Sequence, residues 1–459
     1  MLTKLRNLFR PAPFRTPITD DAEIQKQYKY WRLRIFYSIY AGYVVFYFTR
    51  KSFTFVMPHL LDLGYSMSDV GFLGTVLYIS YGLSKFIGGM LADRANPRYL
   101  MSIGLILTGL TNIFFGFSSS IVLFALFWGL NGFFQGWGWP PCAKQLTFWF
   151  SKSERGKWWS LKATSHNVGG ALAPLIVALF CTWFDWRWGM FAPGLIALVV
   201  GFWLMDRLRD IPQSLGLPSV ERFRGEEESS QNAESCKEQQ ILSTREILFK
   251  HVLNNRAVWI LALSYFFVYV VRTGLNDWAT VYLNRERGYS LVNAASSIVW
   301  FEAGGFLGTL VSGWASDRFF QGRRVPVMVW CALGTLLAMF AFWCLPPGYM
   351  YCEMFLMAVL GFMIFGPQLL VGLAAAEFVD KKAACTANGF AGCFAYIGAA
   401  ATGYPLSKII DIWHWQGFFI TLLVCSAAIF LVLLPLCTGK EESIFLDGVY
   451  PEGSRMGSK

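Results

Sequence analysis

The sequence predicts an all-α polytopic membrane protein with twelve transmembrane helices in two pseudo-symmetric six-helix bundles, and three observations predict it. The first is composition. Of 459 residues, 55% are hydrophobic and only 15% charged, against about 25% charged in a soluble domain. The second is the recurrence of apolar segments of roughly 20 residues, the length needed to cross a hydrocarbon core of about 30 Å. The third is a set of features in the first half that returns in the second at nearly constant offset, the sequence mark of repeat-built transporters.

Taken in order, the N-terminal stretch MLTKLRNLFRPAPFR is basic, yet no apolar core follows it directly. The first long apolar run also lacks a small-residue cleavage site, so the first helix is expected to act as its own insertion signal. Six spans are expected near 33–57, 68–91, 98–117, 121–149, 159–182 and 188–206. Six more are expected near 257–282, 291–316, 325–345, 349–378, 384–410 and 415–437. Between the sets lies a polar stretch containing RGEEESSQNAESCKEQQ, which cannot bury a core of its own. The expected organisation is therefore a cytoplasmic segment 1–32, a bundle 33–207, a cytoplasmic linker 208–255, a bundle 256–438 and a cytoplasmic tail 439–459.

Charge placement supports that topology. With both termini cytoplasmic, 30 of the 39 lysines and arginines fall on the cytoplasmic side, in 1–34, 92–98, 150–162, 207–256, 318–324, 381–382 and beyond 438. The opposite side holds Arg187, Arg285, Arg287 and Lys408. This is the positive-inside asymmetry of a protein seated in a lipid bilayer. It accounts for the net charge of +10 without nucleic-acid binding. The ten cysteines scatter through apolar helices without metal-ligand or disulfide spacing, and read as small core residues. The four histidines (His59, His166, His251 and His414) lie far apart. No nucleophile with a base and no metal cluster is legible, so neither an enzyme, a cofactor nor a metal site is expected.

Two repeated features carry the function. Gly89-Met-Leu-Ala-Asp93-Arg94 follows the second segment, and Gly313-Trp-Ala-Ser-Asp317-Arg318 follows the eighth, 224 residues later. Glycine lets helices approach closely, and the Asp-Arg pair sits at a helix end near the cytoplasmic surface. Asp93, Arg94, Asp317 and Arg318 are accordingly expected to gate or latch the fold. Arg50 and Arg272 repeat at an offset of 222. Each lies sixteen residues past the last basic residue before its helix, and each has a tyrosine three residues earlier, Tyr47 and Tyr269. A charge in hydrocarbon costs from roughly 2.5 to over 10 kcal/mol and persists only with a partner or a watery cavity. Matching positions in two halves suggest one anion site built twice. Guanidinium suits phosphate, because its planar fork gives bidentate, charge-assisted hydrogen bonds at any working pH. Fixed ion pairs to Glu302 or Asp277 are the structural alternative. Lys51, Lys85 and His166 are the other basic groups inside apolar segments, while Lys144, Glu377 and Lys408 lie nearer segment ends. His166 precedes Asn167-Val168-Gly169-Gly170, and Tyr43, Tyr47, Tyr81, Tyr269 and Tyr396 could offer hydroxyls to a ligand.

The G-x-x-x-D-R pattern between segments 2 and 3, echoed between 8 and 9, resembles the signature of the major facilitator superfamily. FTRKSF (48–53), YGLSKF (81–86), FFQGWGWPPC (133–142), SERG (153–156), SHNVGGA (165–171), VYVVRTGLNDW (268–278), FEAGG (301–305), FGPQLLVG (365–372) and KKAACTANGF (381–390) together resemble its organophosphate:phosphate antiporter family. Details such as Phe365, FYFTRKSF and DIWHWQGFF are most similar to the bacterial hexose-phosphate transporter and sensor proteins. The resemblance implies two bundles rocking about a central site in a bacterial inner membrane. It implies phosphate binding by Arg50 and Arg272, supported by Lys85, His166, Tyr47, Tyr269 and Tyr396. The implied activity is exchange of external sugar phosphate, foremost hexose 6-phosphate such as glucose 6-phosphate, for internal inorganic phosphate. Two alternatives stay open: a receptor for external hexose phosphate that signals to a partner kinase, and a glycerol-3-phosphate:phosphate antiporter. One departure concerns the sugar. Asn388 and Ala391 stand where the hexose-phosphate antiporter carries an Asp and a Lys.

Overall fold

The computed structural model describes residues 12–225, 252–320, 322–379 and 384–437, and among these no strand occurs. The helices are α1 Asp21–Asp62, α2 Met67–Arg94, α3 Pro97–Phe117, α4 Ile121–Gln135, α5 Trp139–Trp149, α6 Lys152–Trp183, α7 Trp188–Arg207, α8 Val220–Arg224, α9 Arg256–Arg285, α10 Leu291–Phe319, α11 Arg324–Cys344, α12 Met350–Glu377, α13 Ala384–Ala401 and α14 Tyr404–Cys437. Two compact units result. One contains the described residues through Leu63 and from Val76 to 225, the other Gly64–Thr75 and the described residues from 252.

In the first unit, α1 starts well before the apolar run at 33. Asp20 caps it, its Oδ1 accepting the Ala22 amide at 3.1 Å, and Asp21 and Glu23 occupy the first turn, where carboxylates meet the positive end of the helix dipole. The polar turns so gained carry Tyr28, which is buried, stacks on Phe223 at 4.0 Å and meets Trp149 edge-on at 6.2 Å. Residues 208–225, which the sequence assigns to the linker, therefore dock on this unit. Leu217 and Val220 are buried, and the chain pairs Arg15 N with Gln213 O (3.1 Å) and Ile18 N with Gly216 O (2.9 Å). The remaining linker, 226–251, lies outside the described residues, as do 1–11 and the tail from 438. The expected span 121–149 is divided into α4 and α5 at Gly136-Trp137-Gly138. Pro140 and Pro141 follow there, and neither can donate a backbone hydrogen bond.

In the second unit, α10 and α12 cross at glycines. A Cβ on Gly304 would overlap the Ala358 carbonyl, and one on Gly361 the Phe301 carbonyl, the small-residue contact by which membrane helices pack. Between the expected spans 384–410 and 415–437 the helix is interrupted by the non-helical His414 (φ 53°, ψ −156°), which lies inside α14. A further break divides the first of these spans, α13 stopping at Ala401 and α14 starting at Tyr404. The break at Thr402-Gly403 is held by Thr75, whose Oγ1 donates to Ala400 O (2.9 Å) and accepts from Tyr404 N (2.8 Å).

Among the described residues, nine helical runs are long and apolar enough to cross a membrane by length and composition. The last of them, Ala387–Cys437, covers both α13 and α14. Val199, Phe202, Trp330, Phe355 and Leu431 are exposed on these runs. Lipid solvates such side chains, whereas in water they would form an aggregation-prone surface.

Candidate functional site

Arg50 is fixed by a neutral amide. Its Nε and Nη2 both donate to Gln135 Oε1, each at 3.2 Å, and its guanidinium lies 4.5 Å from the Tyr47 ring centre and 4.7 Å from that of Tyr81. Gln135 is itself immobilised: Nε2 donates to Thr49 Oγ1 (2.9 Å) and Asn131 Oδ1 (3.1 Å). Asn131 Nδ2 donates in turn to Asn112 Oδ1 (2.8 Å), and Asn112 Nδ2 to Ser52 Oγ (3.0 Å). All five supporting groups are buried, and a connected buried network of this kind holds one arrangement. Gln135 orients the guanidinium plane and contributes no charge to cancel it.

Across from α1, α6 presents Lys162 and His166, four residues apart and hence on one helix face. His166 lies against Tyr47, ring centres 6.2 Å apart. Lys162 Nζ lies 3.4 Å from the Tyr43 ring centre and 3.8 Å from that of Trp139, and the residue is fully buried. Gly169 permits this approach, since a Cβ there would stand 2.6 Å from Tyr47 Cβ and 2.8 Å from Val44 O. The side chain of Lys85 lies outside the described residues.

The second unit repeats the arginine environment with different groups. The Arg272 guanidinium lies 5.7 Å from the Tyr269 ring centre and 4.6 Å from that of Phe365. Tyr269 meets Tyr265 at 5.0 Å and Tyr396 at 6.0 Å. Glu302 is buried and accepts from Asn276 Nδ2 at 3.1 Å. Each arginine thus rests on the tyrosine three residues before it. The second aromatic near each guanidinium comes from α2 in the first unit (Tyr81) and α12 in the second (Phe365).

The G-x-x-x-D-R residues are partly visible. Asp317 pairs with Arg324 at 2.5 Å, and Arg324 continues to Glu377 at 3.2 Å. Arg318 is exposed, and the side chains of Asp93 and Arg94 lie outside the described residues. In the first unit, Glu154 at the start of α6 bridges Arg32 of α1 and Arg224 of α8. Burial pulls the Glu154 carboxyl up, but the Arg32 hydrogen bond and charge, with Arg224, hold it below its ordinary value. A further buried pair joins Arg287 to Glu353 at 3.3 Å, with Arg287 also donating to Tyr282 Oη (2.8 Å) and Leu345 O (2.7 Å).

Sequence reasoning missed Gln135 and Lys162. Gln135 is the sole amide of the FFQGWGWPPC run, and its contact with Arg50 forms only where α1 and α4 meet. By position, Lys162 falls within the expected cytoplasmic set 150–162. Its four-residue spacing from His166 is the signal that places it on the same face.

The model of the Major Facilitator Superfamily matches residues 39–368. The chain is 50% identical over 445 residues to the probable hexose phosphate transport protein of Chlamydia trachomatis, covering 95% of this chain and 98% of that protein. It is 47% identical over 430 residues to the membrane sensor protein UhpC of Escherichia coli (93% and 97% covered), and 40% identical over 441 residues to the glycerol-3-phosphate transporter of Bacillus subtilis (95% and 98%). Among solved structures, a bacterial homolog of the human lysosomal transporter Spinster, inward-facing and unoccupied, superposes with a TM-score of 0.71 at 16% identity. That match covers 92% of this chain and 99% of the other and establishes likeness of fold.

Proposed function

Because the chain belongs to the major facilitator superfamily, in its organophosphate:phosphate antiporter branch, we propose that it exchanges external hexose 6-phosphate, such as glucose 6-phosphate, for internal inorganic phosphate across a bacterial inner membrane. The proposal includes twelve membrane crossings, cytoplasmic termini, bundles 33–207 and 256–438, and alternating access between them. Arg50 and Arg272 bind the phosphoryl group. Lys85, His166, Tyr47, Tyr269 and Tyr396 support it, and Asp93, Arg94, Asp317 and Arg318 act in gating.

The observation that carries this reading is the setting of Arg50. Its fork is held over two tyrosine rings by a neutral amide, an orientation suited to a bidentate oxyanion. Two like charges about 4 Å apart repel by about 1 kcal/mol in water and about 4 kcal/mol at an effective dielectric of 20. A dianion shared by Arg50 and Arg272 removes that repulsion, so the loaded carrier closes and the empty one resists closing. Ligand binding shifts the conformers only by its differential affinity for them, and that coupling makes exchange obligatory. Uptake of labelled glucose 6-phosphate into phosphate-loaded proteoliposomes tests the reading, with uptake expected only when phosphate is inside.

The 47% identity to a membrane sensor favours a second reading, a receptor that binds external hexose phosphate and passes the signal to a partner kinase. Saturable binding of glucose 6-phosphate without exchange is its signature. Glycerol 3-phosphate as competitor separates the third possibility in the same assay.

A further inference from the structure

We propose that Lys162 is a ligand-binding cation of the Arg50 site, taking a phosphoryl oxygen of the bound phosphate or sugar phosphate; this rests on the phosphate reading of that site. Its ammonium is fully buried, and among the described residues Nζ has no oxygen or nitrogen partner in hydrogen-bond geometry, the Cys142 sulfur being its polar neighbour. Its neighbours are the faces of Tyr43 and Trp139, at 3.4 and 3.8 Å, and the Cys142 thiol, which donates to Gly138 O at 3.2 Å.

A lysine serving only to fill this space is a costly choice. Methionine or leucine would occupy the same volume without desolvating a charge, and the two aromatic faces return only part of that cost. An ionisable group in a membrane span, with no carboxylate partner among the described residues, points to a ligand or ion path.

Position supplies the rest. Tyr43 and Tyr47 form two rungs of α1, their ring centres 5.8 Å apart, and Arg50 stands over Tyr47. Lys162 stands against the first rung and His166 against the second. Two cations thus share one tyrosine ladder, within electrostatic reach of each other. The lysine stem has four rotatable bonds and three donors. Exchanging the π-face of Tyr43 for an anionic oxygen replaces a weak partner with a charge-assisted hydrogen bond.

The test uses the full-length protein in phosphate-loaded proteoliposomes, with inorganic phosphate and glucose 6-phosphate as separate probes and thermal unfolding in detergent as the fold control. K162M is expected to unfold near the wild-type temperature while its KM for both probes rises about tenfold or more, the loss of one charge-assisted hydrogen bond. K162R is expected to recover most of that loss, which a volume effect would not produce. If K162M loses its thermal transition, K162Q, a neutral donor, carries the measurement. An unchanged KM for inorganic phosphate in a folded neutral variant overturns the proposal. Retained phosphate exchange in wild type and its loss in R50K show that such a failure is confined to Lys162. A wild type that neither binds nor exchanges phosphate removes both readings.

Discussion

Gln135 places one carbonyl oxygen 3.2 Å from both Nε and Nη2 of Arg50. The contact separates two properties of the arginine that mutation can test independently: the orientation of its plane and its net charge. In Gln135→Leu the plane is released and the charge kept. In Gln135→Glu the geometry is kept and the charge cancelled. Q135L is expected to raise the KM for phosphate about tenfold, the scale of one hydrogen bond to a charged group. Q135E is expected to lower kcat/KM by about a hundredfold or more, since a fixed carboxylate competes with the ligand directly. Exchange kinetics of the two variants side by side check this. Equal effects would mean that Gln135 only packs.

Gly169 sets the separation of α6 from α1. A valine there would press on Tyr47 Cβ and the Val44 carbonyl, backbone that cannot yield as a flexible side chain could. Overpacking of this kind costs about 1–3 kcal/mol. G169V is expected to lower Tm in detergent and, by moving His166 and Lys162 away from their tyrosines, to raise the KM for phosphate as well. A variant less stable but unaltered in KM would detach α6 from the site.

Glu154 predicts a pH dependence. Its carboxyl is held below the ordinary value by Arg32 and Arg224 acting against burial. The stability these pairs contribute is therefore fully present above the unfolded pKa, about 4.3. It is lost as pH falls through the lower folded value. Thermal unfolding from pH 7 to pH 3 is expected to show a wild-type decline that is shallower in E154Q. Parallel curves would contradict the assignment.

The Arg287–Glu353 pair is buried on both sides. Removing one partner leaves an uncompensated charge, a loss of about 3–5 kcal/mol. E353A is expected to reduce Tm markedly, whereas replacing both partners by apolar residues is expected to restore part of the loss. Unfolding curves of the single and double variants measure the difference.

Arg50 and Arg272 stand out as candidates in the sequence because a charge inside a long apolar run is visible in one dimension, and their offset of 222, close to the 224 of the G-x-x-x-D-R pair, exposes the repeat. Their tyrosines were legible for the same reason, three residues away on the same helix. Gln135, Asn131 and Asn112 were not, since an amide in an apolar segment looks the same whether it caps, packs or orients a cation; only the meeting of α1, α3 and α4 distinguishes these. Lys162 was hidden by its place at the cytoplasmic end of a span, where lysines ordinarily reach for water. The division at Thr402-Gly403 was hidden because both flanks are apolar, so hydropathy ran through it. The docking of 208–225 was hidden because Leu217, Val220 and Phe223 are too few to register in a polar window, though Phe223 stacks on Tyr28, which itself meets Trp149.

The central claim is that phosphate is bound by the forks of Arg50 and Arg272 and not by positive charge alone. Lysine keeps the charge and loses the fork, so phosphate exchange by R50K and R272K in reconstituted proteoliposomes is the most direct test. Exchange in each is expected to fall to near background while the protein remains folded. Near-normal exchange in either variant would contradict the two-arginine account.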